Sequence, residues 1–401
     1  MTDNRDQISE KEKFNVGRHT LNQQNVPYIL VEEFTDLHQV AANLGKEEVI
    51  GVDLEADSMF HYREKVCLLQ ISTPSQNILI DTLALMDLSP LAPIFADSGI
   101  RKVFHGADYD IRSLYRDFQL EVCSLFDTQI AARFLGFTET GLASLLRHVS
   151  GLIIEKKYQK KDWSQRPLPP SMCAYAAQDA CHLLTLSRLF EKKLRTKGLL
   201  FCVEEECEAL SKVRPGLRVE NPLFLKFKGA GKLDSRSLAV LEALLQLRED
   251  VARRRDLPPF KIVGNLPLLE MAQKKPVTTT ELRAMRGLSP KQVESLGRSL
   301  LERMHEALNL PKEALPAYPR KPRQPYSPEV LKRVRALREW REQRASSLSI
   351  DLALTLSNAQ IRVLALEHPD HPQALKRITE IRNWQKHLFG PEICALLKTI
   401  S

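Results

Sequence analysis

The stretch Val49-Ile50-Gly51-Val52-Asp53-Leu54-Glu55 constrains this chain most. A near-continuous apolar run of this length is the pattern of a strand buried on both faces of a sheet. It ends in two acids spaced two apart, and residues so spaced on a strand project from one face. Asp53 and Glu55 therefore point together from the end of a buried strand. Burying one carboxylate is costly, and a second beside it adds repulsion. A divalent cation would compensate both. A strand simply ending in a polar loop, with one acid capping a turn, is the competing reading.

The surroundings fit a sheet with helices packed on it. After a polar start of 1–27, strands are expected over 28–31, 66–71, 77–80 and 102–105 besides the acid-tipped strand at 48–55, and 48–55, 66–71 and 77–80, in quick succession, suggest a meander. Helices are expected around 33–44, 88–95, 107–118, 126–134 and 141–149. After a Pro-rich loop at 155–170, one long helix is expected over 171–194. Strands first and alternating elements later point to a mixed α/β sheet. Beyond a Pro/Gly/Lys-rich linker at 214–232, the pattern is wholly helical. It repeats weakly: Leu247-Arg248-Glu249 with Ala272 and Pro276 is echoed by Leu337-Arg338-Glu339 with Ala365 and Pro369. A second linker, 311–328, separates the copies. The domains expected are 25–212, 230–310 and 326–401.

Charge divides along the same line. Residues 231–401 hold 30 Lys/Arg against 19 Asp/Glu, leaving 28 against 31 in front. A basic back half behind an acidic front suits chemistry in one place and polyanion binding in the other; basic helices that are merely solvated are the plainer account. The seven cysteines are scattered without a C-x-x-C pair, which speaks against a disulfide framework or a zinc site and fits a reducing cytoplasm. No secretory signal or membrane-spanning run is visible.

Two further acids complete a pattern. Asp110 falls in the first turn of the helix after the Val103-Phe104-His105 strand. Asp179 sits mid-helix among Ala176, Ala177, Ala180, Leu183 and Leu184, a place disfavoured by propensity and by burial. Tyr175 precedes it by four, on the same helical face. Four carboxylates and a tyrosine suit two divalent cations clamping a phosphodiester, and all-carboxylate ligation suits Mg²⁺ or Mn²⁺ over zinc.

Asp53-x-Glu55, the block His105-Gly-Ala-Asp-Tyr-Asp110-Ile-x-x-Leu114 and Tyr175-x-x-x-Asp179 resemble the three motifs of the DEDD exonuclease superfamily, with the tyrosine of its DEDDy branch. Asp162-Trp163-Ser164-Gln165-Arg166-Pro167-Leu168 is similar to the stretch before the third motif in bacterial ribonuclease D. Leu247-Arg-Glu-x-x-Ala252-Arg253-x-x-Asp256-x-Pro258-Pro259-Phe260-x-Ile262 resembles an HRDC (helicase and ribonuclease D C-terminal) domain. The second copy has Leu348-Ser349-Ile350 in place of the Pro-Pro-Phe turn, which puts its nucleic-acid role in question. The resemblance implies a ribonuclease H-like, DnaQ-like exonuclease sheet followed by two all-α HRDC-like modules. It implies removal of nucleoside 5′-monophosphates from RNA 3′ ends, transfer-RNA precursors among them. A DNA 3′→5′ exonuclease and a non-catalytic nucleic-acid binder are the alternatives.

The implied roles are Asp53 bridging two metals, Glu55 and Asp179 on the nucleophile-side metal, Asp110 on the second, and Tyr175 orienting water. Asp110 is preferred over its neighbour Asp108 as the ligand, although either could cap the helix. Weaker substrate-contact candidates are Met59, Phe60, His105, Arg248, Arg253, Arg254 and Lys261. Asp127 reads as a helix cap and Trp163 as packing. No obligate protein partner is evident, and a monomer is expected. The back half, 231–401, is expected to supply affinity without chemistry.

Overall fold

The computed structural model describes residues 26–154, 157–216, 222–319 and 326–400. The polar start and parts of both expected linkers lie outside the described residues. Two compact units result. Among the described residues, one comprises those from 26 to 55, from 66 to 215 and from 326 to 400; the other comprises those from 56 to 65 and from 216 to 319.

In the first unit, six strands, β1 (Ile29–Val31), β2 (Val49–Ala56), β3 (Val66–Ser72), β4 (Asn77–Asp81), β5 (Arg101–Phe104) and β6 (Leu125–Asp127), form one sheet in the order β1-β4-β3-β2-β5-β6. β3 and β4 pair antiparallel, whereas β1–β4, β2–β5 and β5–β6 are parallel. The sheet is mixed, as expected, and the acid-tipped strand lies inside it. Its helices are α1 (Phe34–Leu44), α2 (Ala92–Ala96), α3 (Asp108–Phe118), α4 (Thr128–Phe134), α5 (Leu142–Ser150), α6 (Pro170–Cys181), α7 (Leu183–Lys197) and α8 (Leu200–Ser211).

The expected long helix over 171–194 is two. The break falls at His182, between α6 and α7. Periodicity alone runs through this point, because Leu183, Leu184 and Leu186 continue the apolar face. The junction is instead set by packing on the central strand. A Cβ on Gly51 would stand 3.0 Å from the Ala180 carbonyl oxygen and 3.4 Å from Leu183 Cβ. Glycine at 51 thus lets the α6–α7 corner approach β2 closely, bringing Asp179 toward Asp53.

The helical back half is two copies built element for element. α9 (Ser235–Arg255), α10 (Pro259–Ile262), α11 (Asn265–Lys274), α12 (Thr279–Arg283) and α13 (Pro290–Leu308) correspond in order to α14 (Pro328–Leu348), α15 (Leu352–Thr355), α16 (Asn358–Glu367), α17 (Pro372–Lys376) and α18 (Asn383–Lys398). One constant offset relates them, and it matches Ala272 with Ala365 and Pro276 with Pro369. The Leu-Arg-Glu echo is corrected by the same offset, which matches Arg248 with Arg341 and not with Arg338. The side chains agree: Arg248 donates to Asn265 Oδ1 (2.7 Å) and Arg341 to Asn358 Oδ1 (3.1 Å). Left-handed residues close the long helices at Asp256 and Ser349, and the third helices at Lys275 and His368.

The copies differ in what they pack on. Copy one, α9–α13, has its own apolar core. Copy two, α14–α18, shares a continuous core with the exonuclease-like sheet, running from Ile50, Phe104 and Phe134 to Leu337, Leu356, Trp384 and Phe389.

Candidate active site

Three elements deliver the predicted acids. Asp53 and Glu55 stand on β2, half-buried. Asp110 and Asp179 are buried, on the first turn of α3 and near the end of α6. The carboxyls feel one another strongly. Burial pushes Asp53 up to about 6 and Asp179 up to about 8, the latter helped by the Asp53 charge. Burial, then Asp53, Asp179 and Asp110, push Glu55 up to about 10. Asp110 is raised well above the usual range by burial and by Asp53. Such mutual repulsion is the signature of an acid cluster lacking positive charge.

Among the described residues no three His, Cys, Asp or Glu side chains close into a metal-ligand shell. The donor chemistry nevertheless fits a hard divalent cation. It is all oxygen, it is buried, and added positive charge would relieve every one of these shifts.

Tyr175 meets the same cluster. Its hydroxyl faces Asp179, and burial with the Asp179 and Glu55 charges drives its pKa further up. Its ring is held by Tyr158 (centroids 5.5 Å apart) and by the buried Trp163 (6.3 Å). Trp163 is packing, as expected, and the Asp162–Leu168 stretch has a structural cause. Arg166 grips buried Asp81 with Nε (2.5 Å) and Nη2 (2.7 Å), and also donates to the Trp163 and Cys67 carbonyls. That bidentate clamp pins the loop before α6 to the ends of β3 and β4.

The question of Asp108 or Asp110 is resolved by direction. Neither caps α3, whose N-cap is Ala107. Asp108 points outward to Arg112, at 2.9 and 3.0 Å, while Asp110 points inward.

A cavity of about 270 Å³ is lined by Asp53, His105, Gln129, Tyr175 and Asp179 among others. His105 Nδ1 lies 2.9 Å from Thr128 Oγ1, which itself donates to the Phe104 carbonyl. Sequence reasoning missed Gln129; only its place two residues after the Asp127 cap signalled it. Asp127 does cap α4, accepting from the Gln129 (2.7 Å) and Ile130 (3.1 Å) amides. It also accepts from Gly106 (3.1 Å) and Ala107 (2.7 Å), fixing the turn that leads into Asp110.

The remaining candidates belong to the second unit. The segment Ala56–Lys65, which leaves β2 directly after Glu55, packs on copy one. His61 Nδ1 lies 2.7 Å from Asp256, the Tyr62 amide donates to Asp256 and the Tyr62 hydroxyl to Glu249 (3.0 Å). Lys261 Nζ sits 4.4 Å over the Phe60 ring, and Arg253 lies 5.7 Å from the Tyr62 ring. Met59 is exposed. Phe60 thus meets Lys261, Arg253 meets Tyr62 instead, and Arg254 is exposed on α9. Arg248 requires correction. It is tied to Asn265 and to the Val263 carbonyl (3.3 Å), so it braces the copy and is not a free cation for phosphate. His105 stays at the cavity wall.

A strand ending in paired acids, an inward acid opening the next helix and a Tyr-x-x-x-Asp helix on a mixed sheet define a 3′-5′ exonuclease fold. The family model described as "3'-5' exonuclease" matches residues 28–195, and the HRDC domain model matches 237–303 and 330–397. Ribonuclease D of Gluconacetobacter diazotrophicus is 32% identical over 292 residues, covering 72% of this chain and 74% of that protein. The chain belongs to the ribonuclease D family. Protein RRP6-like 2 of Arabidopsis thaliana is 33% identical over 275 residues, 65% of this chain; the chain spans only 32% of that relative's length and 43% of Arabidopsis RRP6-like 1. Among solved structures, Escherichia coli RNase D, described as an exoribonuclease involved in structured RNA processing, superposes with a TM-score of 0.69 at 26% identity, over 93% of this chain and 99% of that one.

Proposed function

We infer that this protein is a metal-dependent 3′→5′ exoribonuclease that shortens RNA from its 3′ end, releasing nucleoside 5′-monophosphates. The observation that carries the reading is the mutually repelling set of half-buried Asp53 and Glu55 with buried Asp110 and Asp179, and Tyr175 beside Asp179. Two divalent cations, Mg²⁺ or Mn²⁺, would supply charge compensation and polarisation of the scissile phosphate when bound. Asp53 would be shared between them, Glu55 and Asp179 would hold one and Asp110 the other. Tyr175 is a phenol at neutral pH even at its ordinary value, so its hydroxyl orients a water by hydrogen bonding and does not act as a base. Gln129 and His105 line the same cavity and are placed to contact the terminal nucleotide. A DNA exonuclease shares this whole set, so matched RNA and DNA oligomers digested side by side with Mg²⁺ or Mn²⁺ are the test. Preference for DNA overturns the RNA assignment.

Precursor transfer RNAs are the proposed natural substrates, and a monomer in the cytoplasm is the proposed working form. None of the seven cysteines forms a disulfide, in keeping with a reducing compartment, and among the described residues no helix is long and apolar enough to cross a membrane.

Tyr175→Phe keeps the ring packing against Tyr158 and Trp163 and deletes only the hydroxyl. It is expected to lower kcat about 10²-fold with KM little changed, since positioned proton-handling groups contribute on that scale. Single-turnover kinetics on a short oligomer would read it, and unchanged kcat would remove Tyr175 from the machinery.

The cations beside the Ala56–Lys65 segment should act through phosphate. Lys261→Ala is expected to weaken RNA binding at low salt and to reduce the slope of log affinity against log salt by about one. Arg248→Ala should leave that slope unchanged and lower thermal stability, because Arg248 is an internal tie. Fluorescence anisotropy across a salt series separates the two.

A further inference from the structure

Among the positions at which copy two differs from copy one, two face helices α4 and α8 of the exonuclease-like part. Where copy one has Pro258, copy two has Asp351; where copy one has exposed Lys291, copy two has the fully buried Trp384. Asp351 takes Arg133 of α4 at 2.9 Å, and its own amide donates to the Arg133 carbonyl at 3.3 Å. Next to it, Gly136 adopts φ +86°, and a Cβ there would meet the Ser349 carbonyl oxygen at 2.2 Å. Trp384 packs edge-on to Phe134 (5.2 Å) and donates from Nε1 to Glu206 of α8 (2.8 Å). Glu205 of α8 accepts from the first amides of α18, Asn383 and Trp384, at 2.7 Å each. Copy two therefore grips α4 at its C-terminal end and α8 along one face.

Both gripped elements lead to the same residue. α4 begins at Asp127, which ties Gly106 and Ala107 ahead of Asp110. The two residues after it are Thr128, bonded to His105, and Gln129, at the cavity. α8 reaches Asp127 too, because the Asp127 amide donates to Cys207 Sγ (3.2 Å). α4 is seven residues long, under two turns at ~1.5 Å per residue, too short to absorb a shift between its ends.

We propose that copy two is an internal brace for the active site, with Arg133, Asp351 and Trp384 as positioning residues that hold the His105–Asp110 block and Gln129 in register with Asp53. The proposal rests on the exoribonuclease reading. It changes the expected division of labour: residues 326–400 serve catalysis indirectly, and affinity falls mainly to copy one.

The test uses the full chain with Arg133→Gln, Asp351→Asn, Trp384→Phe and the Arg133→Gln/Trp384→Phe pair. Asp351→Asn is the mild variant, since asparagine can still accept from Ala353 as the α15 cap does now (2.8 Å). Initial rates on a short single-stranded RNA with saturating Mn²⁺ are read well below the melting temperature, together with hydrogen exchange over 127–134 and 328–398. The paired variant is expected to lose about 10- to 100-fold in kcat, the scale for a misplacement of about an ångström, with KM within about twofold. Faster exchange over 127–134 should accompany the loss, and Arg133→Lys, which can still reach Asp351, should restore most of the rate. Wild-type kcat in a variant whose copy two exchanges faster overturns the brace, as does a rate loss no larger than the unfolded fraction. If the paired variant fails to fold, Asp351→Asn is held to the same criteria with a smaller loss. An inactive wild type would instead sink the exoribonuclease reading, while the exchange at 127–134 would still report on the brace.

Discussion

Asp53→Ala in the full-length chain is expected to cost several orders of magnitude in hydrolysis rate while leaving the protein folded. Asp53 is the acid all the others feel: its charge raises Glu55, Asp110 and Asp179. On the proposed reading it would also be the ligand shared between two cations. Removing it takes a ligand from both, and charge stabilisation of this kind supplies much of the acceleration of phosphodiester cleavage. Stability should move little or rise, because deleting one of four crowded carboxyls relieves repulsion and burial cost at once. The check is single-turnover hydrolysis of a 3′-labelled oligomer together with a thermal melt. A variant within tenfold of wild type would remove this cluster as the seat of chemistry. A variant that is inactive because unfolded would show in the melt.

Three of the five proposed site residues, Asp53, Glu55 and Asp179, stood out in the sequence because their placement breaks a local rule; Asp110 and Tyr175 stood out only through the motifs they complete. Paired acids ending an apolar strand, and an Asp among alanines mid-helix, are expensive placements, and an expensive placement asks for a reason. Other features were hidden, since their causes are tertiary. The break at His182 depends on Gly51, far away in sequence, and apolar spacing runs unbroken across it. Arg248 looks like any cation of a basic patch until Asn265 is seen to hold it. The Leu-Arg-Glu echo misled because three residues of local identity outweighed the offset given by Ala365 and Pro369. The loss of the Pro-Pro-Phe turn in copy two put its nucleic-acid role in question. Asp351 and Trp384 instead give that copy a docking face, visible only once α4 and α8 lie against it.

Asp127 was legible as a cap and hidden as a hub, and its removal is expected to cause the largest stability loss of any substitution considered. Its carboxylate is buried, at 1% exposure, and accepts from four backbone amides. Asp127→Ala deletes an N-cap, at about 1 kcal/mol, and leaves the Gly106 and Ala107 amides without an acceptor, at about 1–3 kcal/mol each. A loss of about 3–7 kcal/mol follows from that sum, and about 3–5 is expected because larger single-substitution losses are exceptional. Asp127→Asn should be far milder. Oδ1 now accepts from Gly106, Gln129 and Ile130, and an amide oxygen can keep those three bonds; Oδ2 serves Ala107 alone, where an NH₂ group would face a donor. About 1–2 kcal/mol is expected for that exchange. Chemical denaturation of both variants gives the ordering, and activity gives its consequence. Because Gly106 and Ala107 lead into Asp110, the Asn variant should lose rate under conditions where it remains folded. Equal stability losses for Ala and Asn would show that the Ala107 bond dominates. A loss under 1 kcal/mol for Ala would mean that these four amides find other partners, and that the turn before Asp110 is held by something else.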